Sequence, residues 1–478
     1  MIATAAPDSV PLCVDLDGTL ISGDLLLESL LLLIKRNPLY LFLIPLWLLR
    51  GKAALKAEIA KRVTLNPAAL PYNLAFVEWI GQQKEKGRPL WLCTASNHRL
   101  ADIVARHLGI FDGVISSSDI ENMSGHNKAR QLVEKFGPRK FDYCGNHTVD
   151  LPIWGVSQGA VVVNGSNSLV ARAKTLTAIC ASFPKKSHLL RAGLKALRPH
   201  QWVKNVLLFI PLAAAHKLGS TALLIDVGIA FLAFGLCASS VYLLNDMLDL
   251  EVDRQHPRKK HRPFAAGDLS LLVGFGLAPT LLLGAVLLAT QLPLRFLVVL
   301  LCYYMLTLAY SFVLKRIVLI DTIALAGLYT IRIVAGAAAV GVQLSFWLLM
   351  FSIFLFLSLA LVKRYAELDT MLRQGKLLAA GRGYVVGDLA TLLSMGSASG
   401  YLCVLVLALY INSPAVETLY THPHMIWLLC VLMLYWISRV WLKAQRGTMN
   451  EDPVVFALKD PVSLGIFALG AATVIAAV

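Results

Sequence analysis

The sequence predicts two parts in one chain: a mixed soluble domain over residues 1–180 and an all-α polytopic membrane bundle over 202–478, joined by a basic linker at 181–201. Three observations carry that division. The 478 residues are 57% hydrophobic and 15% charged with a mean hydropathy of +0.66, which soluble proteins rarely reach. The apolar excess lies after residue 200, in separate runs of membrane-spanning length. Between two of those runs sits a block of carboxylates followed by a block of cations, residues 242–267.

The soluble part opens on PLCVDLDGTL (11–20), a short apolar strand ending in DLDGT. This resembles the first motif of the haloacid dehalogenase-like (HAD) hydrolases. Three further segments fit that family in order: PLWLCTAS (89–96), GHNKARQLVEKFG with Lys128, and FDYCGNHTVDLPIW (141–154). The resemblance implies a Rossmannoid α/β fold, a parallel sheet with a helical cap. The chemistry of the residues agrees with it. Asp15 at the strand end can attack phosphorus. Asp17 can protonate the leaving oxygen and then activate water. Gly18 permits the turn. Thr94 would hold the phosphate and Lys128 would neutralise it, and the implied magnesium ligands are Asp15, Asp17, Asn146 and Asp150. One position departs from the family: its fourth motif begins Gly-Asp, and this chain has Gly145-Asn146. An Asn carbonyl still ligates magnesium but brings one charge less. A phosphatase and a docking domain without activity therefore both stay open.

The insert at 23–85 is the expected cap. Its stretch DLLLESLLLLIKRNPLYLFLIPLWLLRG (24–51) is strongly apolar, but Lys35, Arg36, Asn37 and Pro38 divide it. Neither half reaches the roughly 20 residues of a spanning helix. Two readings fit: a pair of buried cap helices, or a hairpin on the bilayer surface. The linker stretch 183–202 is basic, with Leu189, Leu190, Leu194 and Leu197 at helical spacing, and reads as an amphipathic interfacial helix.

Nine apolar segments follow, at about 202–217, 222–245, 269–290, 294–314, 317–340, 345–362, 388–411, 424–442 and 461–478. Cations are dense at 254–262, 315–316, 363–382 and 439–446 and sparse at the alternate connections. The positive-inside rule then assigns the carboxylate-rich loop, the linker and the soluble domain to the cytoplasm, on a bacterial-type plasma membrane. The opening MIATAAPDSV lacks a basic run leading into an apolar core, so no signal peptide is expected.

In 242–267, Asp246, Asp249 and Asp253 stand at i, i+3 and i+7, within roughly 60° of one helical face, with Asn245 at its border. Like charges so placed repel. A magnesium ion relieves that repulsion, with substrate phosphates completing its shell. Arg254, Arg258, Lys259, Lys260, His261 and Arg262 follow as phosphate partners. NDxxDxxxD resembles the first Asp-rich motif of the UbiA superfamily of intramembrane prenyltransferases. The longer run to Gly267, with LRPHQWVKN upstream, is closest to its decaprenyl-phosphate phosphoribosyltransferase branch.

That resemblance implies nine spans and a magnesium site at Asp246, Asp249 and Asp253. Its substrates would be a polyprenyl phosphate and phosphoribosyl pyrophosphate. Lys204, Lys260, Arg262, Lys315, Arg332 and Arg364 are candidate phosphate clamps. Asn205, Asn245, Tyr310, Asp321 and Lys363 are further candidate substrate-binding residues. Asp321 and Arg332, eleven apart and nearly on one face, are expected to pair or to line a cavity. The ordinary aromatic-substrate prenyltransferase remains the alternative; it carries a second Asp-rich motif, DxxxD, where this chain has Asp321 followed by Leu325.

The net charge of +15 suits basic loops against anionic lipid heads. No basic patch with interleaved aromatics points to nucleic acid. The eight cysteines stand singly, without CxxC, and read as reduced packing residues.

Overall fold

A computed structural model describes residues 10–184, 189–375, 383–449 and 453–478. Parts of the linker (185–188), of the basic loop at 363–382 (376–382) and of the loop at 446–461 (450–452) lie outside the described residues, as does the opening segment 1–9. The chain divides into two compact units, Met1–Leu197 with Tyr242–Ala278, and Arg198–Val241 with Pro279–Val478.

The first unit is built on six strands: β1 (Leu12–Val14), β2 (Leu90–Asn97), β3 (Gly113–Ser117), β4 (Asp142–Gly145), β5 (Gly159–Val163) and β6 (Ala178–Phe183). Their order is β3-β2-β1-β4-β5-β6, and every pairing is parallel. Alternation along β1 fills both faces. Leu12 and Val14 enter one core with Leu90, Leu92 and Phe76, while Cys13 enters the other with Phe141, Tyr143 and Trp154. Burial on both faces is why the strand reads as an unbroken apolar run. The chain order reverses across β1, which pairs with β2 on one side and β4 on the other. The carboxyl ends of strands beside such a reversal form the crevice where ligands bind in open α/β sheets. Asp15 follows β1, Thr94 lies in β2, and Asn146 follows β4.

The insert forms helices α1 (Leu25–Arg36), α2 (Ile44–Leu49) and α3 (Lys52–Ala60), with a 3-10 turn at Pro38–Phe42. Asp24 caps α1, its side chain accepting from the Leu27 amide at 3.1 Å. The insert is buried in one part and outward-facing in another. Leu25, Leu31 and Leu33 of α1 are buried, as a cap helix requires. From Pro38 to Leu49 most apolar side chains face outward, Leu39 being 67% exposed, Phe42 78% and Leu49 84%, while Trp47 turns inward against Leu33 and Ile59. The helix Leu189–Leu197 likewise leaves Leu189, Leu190 and Leu194 exposed.

Among the described residues seven helices are long and apolar enough to cross a membrane, and the bent pair Pro453–Lys459 and Pro461–Ala477 makes up to eight. The nine expected segments are thus met approximately. The difference lies in 202–217. There the chain forms a 3-10 stretch, Pro199–Phe209, and then only a short helix, Ile210–Ala214. Buried Lys204 and Asn205 fall inside that stretch, and a continuous apolar helix is not made around them. At the C-terminal end Asp460 caps a new helix with Pro461 at its first position, so the axis turns by 75°.

The second unit packs around two apolar clusters, one about Phe234, Phe296 and Tyr303, the other about Phe356, Trp436 and Trp441. Gly336 matters in the first: a Cβ there would stand 2.1 Å from the Leu208 carbonyl oxygen. Two backbones meet there, and only glycine fits.

Candidate active sites

The HAD-like site is a chain of buried polar groups. Lys128, on the helix His126–Phe136, donates to Asp15 Oδ1 at 2.8 Å and to the Tyr143 hydroxyl at 2.8 Å. Tyr143 donates to Asp150 Oδ1 at 3.3 Å. Asp150 Oδ2 accepts the amides of Asn146 and His147 at 2.9 and 3.0 Å. Asp17 accepts from the Leu25 amide at 2.7 Å and from Ser96 Oγ at 2.9 Å. Thr94 is fully buried, and its Oγ1 accepts the Ser96 amide at 3.0 Å. Tyr143 and Ser96 are absent from the sequence reading, for no motif distinguished them from ordinary strand residues.

Burial lifts Asp15 to about 6 against the pull of Lys128. It lifts Asp17 to about 7, helped by the neighbouring Asp24 and Asp15. For Lys128, burial works against the charge, but Asp15 and Asp150 outweigh it and the pKa is raised. A nucleophile held near a cation, beside a carboxyl that keeps its proton near neutrality, is the division of labour that phosphoryl transfer through a carboxylate needs.

Gly18 has φ +73°, and a Cβ on it would fall 1.9 Å from Asn146 Nδ2. The missing Cβ lets the Asn146 amide lie directly over the DLDGT loop. Among the described residues no three His, Cys, Asp or Glu side chains stand close enough to hold a metal alone. Magnesium takes a few protein oxygens and fills its shell with water and phosphate. Asp15, Asp17, Asn146 and Asp150 fit such a site.

The Asp-rich segment belongs to the same compact unit. The helix Thr221–Leu248 carries Asn245 and Asp246, and the helix Leu250–Gln255 carries Asp253. The break falls at Asp249, yet the i to i−4 bonds continue through it: Asp249 N to Asn245 O at 3.0 Å, and Asp253 N to Asp249 O at 2.8 Å. The backbone thus stays close to helical from Asn245 to Asp253. Arg262 Nη1 donates to Asp246 at 3.1 Å and to Asp253 at 2.6 Å, both carboxylates being buried. One cationic nitrogen thus bridges two acids. Burial raises the pKa of Asp253 against the pull of Arg262. Asn245 Oδ1 is buried with no hydrogen-bond partner among the described residues. Two carboxylates already sharing a cation, beside an orphan oxygen, form a donor set that fits a hard divalent ion. Asp249 lies opposite Lys35, 3.2 Å away. Lys260 is exposed on the turn Lys259–His261.

Of the two arrangements expected for Asp321 and Arg332 in the second unit, a pair or a shared cavity, the pair is not formed. Asp321 accepts from the Tyr384 hydroxyl and forms an ion pair with Arg364 Nε at 3.0 Å; Arg364 also meets Glu367. Arg332 donates through Nε to Asn205 at 3.2 Å, through Nη2 to the Tyr303 hydroxyl at 3.0 Å, and through Nη1 to the Leu328 carbonyl. Tertiary packing, not position along one helix, chose these partners. Lys204 is buried with its ammonium 5.6 Å from the centre of the Tyr329 ring. Tyr310, Lys315 and Lys363 are half-buried.

Residues 206–459 match the UbiA prenyltransferase family and residues 12–154 the haloacid dehalogenase-like hydrolases. The chain is 38% identical over 463 residues to the uncharacterized protein y4nM of Sinorhizobium fredii, covering 96% of this chain and 89% of that one. It is 35% identical over 273 residues to the nodulation protein NoeC of Azorhizobium caulinodans, covering 56% and 88%. It is 41% identical over 197 residues to the decaprenyl-phosphate phosphoribosyltransferase of Mycobacterium tuberculosis, covering 40% of this chain and 64% of that relative, so this match spans just under two thirds of its length.

Proposed function

The chain belongs to the UbiA prenyltransferase family, and we propose that it moves 5-phosphoribose from phosphoribosyl pyrophosphate to a polyprenyl phosphate, after which its HAD-like domain removes the 5-phosphate. The observation that carries this reading over aromatic prenylation is the state of Asp321. It is the one acid where a second Asp-rich motif would begin, and Arg364 and Tyr384 already claim it. A single carboxylate set, with cations elsewhere, suits a sugar diphosphate and a second anionic substrate.

Magnesium held at Asp246, Asp249 and Asp253 would stabilise the departing diphosphate. The bond from ribose C1 to the diphosphate oxygen breaks, and that oxygen keeps the electron pair. A lipid phosphate oxygen forms the new bond to C1 from the opposite face. The attacking group is already an anion, so no general base is needed. Placement and charge balance supply the rate. Lys204, Lys260, Arg262, Lys315, Arg332, Lys363 and Arg364 are the candidate partners of the phosphates, with Asn205, Asn245 and Tyr310 as polar contacts.

In the HAD-like domain, an Asp15 oxygen attacks the 5-phosphorus while Asp17 gives its proton to the departing ribose oxygen. Asp17 then takes a proton from the water that hydrolyses the aspartyl phosphate. Thr94 and Lys128 hold the phosphate. Cation-rich connections support a cytoplasmic location for both chemistries.

Purified protein with magnesium, polyprenyl phosphate and labelled phosphoribosyl pyrophosphate tests the reading. Label extracted with the lipid is expected. An unlabelled lipid fraction, from protein that instead joins a prenyl diphosphate to an aromatic acid, would establish the alternative.

A further inference from the structure

The cap helix α1 carries an anomaly. Glu28 is the one charged residue among the buried residues of α1, beside Leu25, Ser29, Leu31 and Leu33. Its partner is Arg254, the residue after Asp253. The two side chains meet as a fork, Arg254 Nη1 to Glu28 Oε2 and Nη2 to Oε1, both at 2.8 Å. Two further donors of Arg254 go to backbone: Nε to Ala265 O at 3.1 Å, and Nη1 also to Ala69 O at 3.2 Å. Arg254 is thus held by the cap, although it stands in the basic run. It fastens the Asp-rich segment to the cap.

Three independent contacts point the same way. Lys35, at the end of α1, reaches Asp249. Leu31 and Leu32 of α1 pack beside Met247 and Leu250, leaving a cavity of about 30 Å³, room for about one water. Gly267, with φ +76°, passes so near Ser22 that a Cβ on it would fall 2.6 Å from the Ser22 Cβ.

We infer that the cap of the HAD-like domain is a working part of the transferase: Glu28 is a positioning residue that, through Arg254, sets Asp249 and Asp253 for the divalent ion. This rests on the transfer reaction proposed above. A bidentate pair fixes orientation as well as distance. Removing the carboxylate leaves a buried guanidinium without its counter-charge, and the short helix that begins after Asp249 loses its anchor. Residues that orient metal ligands typically change metal affinity by about 10–100-fold when lost.

The experiment uses the full chain in nanodiscs as Glu28→Gln, Glu28→Arg, Arg254→Glu and the Glu28→Arg/Arg254→Glu pair. The apparent magnesium constant for transfer is measured alongside amide exchange of the peptide covering 246–255. Each single variant should raise the magnesium constant about tenfold or more and speed exchange in that peptide, and the reversed pair should recover both. Wild-type values for both readouts in Glu28→Gln and Glu28→Arg would overturn the inference. So would faster exchange with an unchanged magnesium constant, which would make the clamp purely structural. A wild-type protein that transfers no ribose would instead sink the assigned reaction; the exchange data would still judge the clamp.

Discussion

Asp321 and Arg364 form an ion pair at 3.0 Å, with side-chain exposures of 0% and 2%. Both side chains are buried, and the Tyr384 hydroxyl donates to the same carboxylate. Breaking one side of such a pair typically costs about 3–5 kcal/mol because a charge is stranded, whereas replacing both with apolar groups of similar size is often neutral. Asp321→Ala should therefore lower the thermal midpoint sharply, and Asp321→Leu with Arg364→Met should recover most of it. If Asp321→Ala melts like wild type, the pair does not hold the helices.

The shared Arg262 nitrogen makes a second prediction. Asp246→Asn removes charge from one of two bridged acids while keeping its shape. Transfer should drop by about 10²–10³-fold, the loss expected when electrostatic stabilisation of a leaving group is removed. Melting should stay near wild type, since repulsion within the acid cluster is also relieved. Turnover near wild type in purified Asp246→Asn or Asp249→Ala would remove these acids from the site.

The raised Asp15 and Asp17 give a pH dependence of known sign. Their folded pKa values, about 6 and about 7, lie above the ordinary value of 3.8. Between pH 4 and about 7 the folded state therefore holds more protons than the unfolded one, and stability falls as pH rises through that window. In chelator-treated protein the thermal midpoint should be lower at pH 8 than at pH 5.5. Magnesium should offset the loss at pH 8, and Asp17→Asn should shrink the difference. A midpoint that rises with pH over this range would mean the buried carboxylates are not the controlling groups.

The outward apolar run of Pro38–Leu49 should lie in lipid head groups. Phe42→Trp in nanodiscs would report this directly. Quenching by brominated lipid is expected, and an emission maximum typical of water without quenching would place the patch elsewhere.

How much of this was legible in the sequence follows from where each signal resides. β1 and the DLDGT turn were readable because burial on both strand faces leaves a short apolar run that stops at Asp15. The long helices were readable because lipid demands length and composition together. The spacing of Asp246, Asp249 and Asp253 was readable from helical period, and the structure joins Asp246 and Asp253 through Arg262 while Asp249 meets Lys35. Partners distant in the chain were not. Tyr384 lies 63 residues from Asp321, and Glu28 lies 226 from Arg254. No local pattern encodes such pairs; packing of whole elements selects them. The 3-10 stretch Pro199–Phe209 was hidden for a similar reason. Lys204 and Asn205 stood out as polar residues in an apolar segment, but their burial and the tertiary bond from Arg332 to Asn205 were not encoded locally.

One chain is expected both to make a ribosylated lipid and to dephosphorylate it. The most direct measurement is the mass of the lipid product from wild type and from Asp15→Asn, each given magnesium, polyprenyl phosphate and phosphoribosyl pyrophosphate. Wild type should yield polyprenyl-phosphoryl-ribose, and Asp15→Asn should yield the same lipid heavier by one phosphate. Identical products from the two proteins, or no pentose on the lipid in either, would contradict the account.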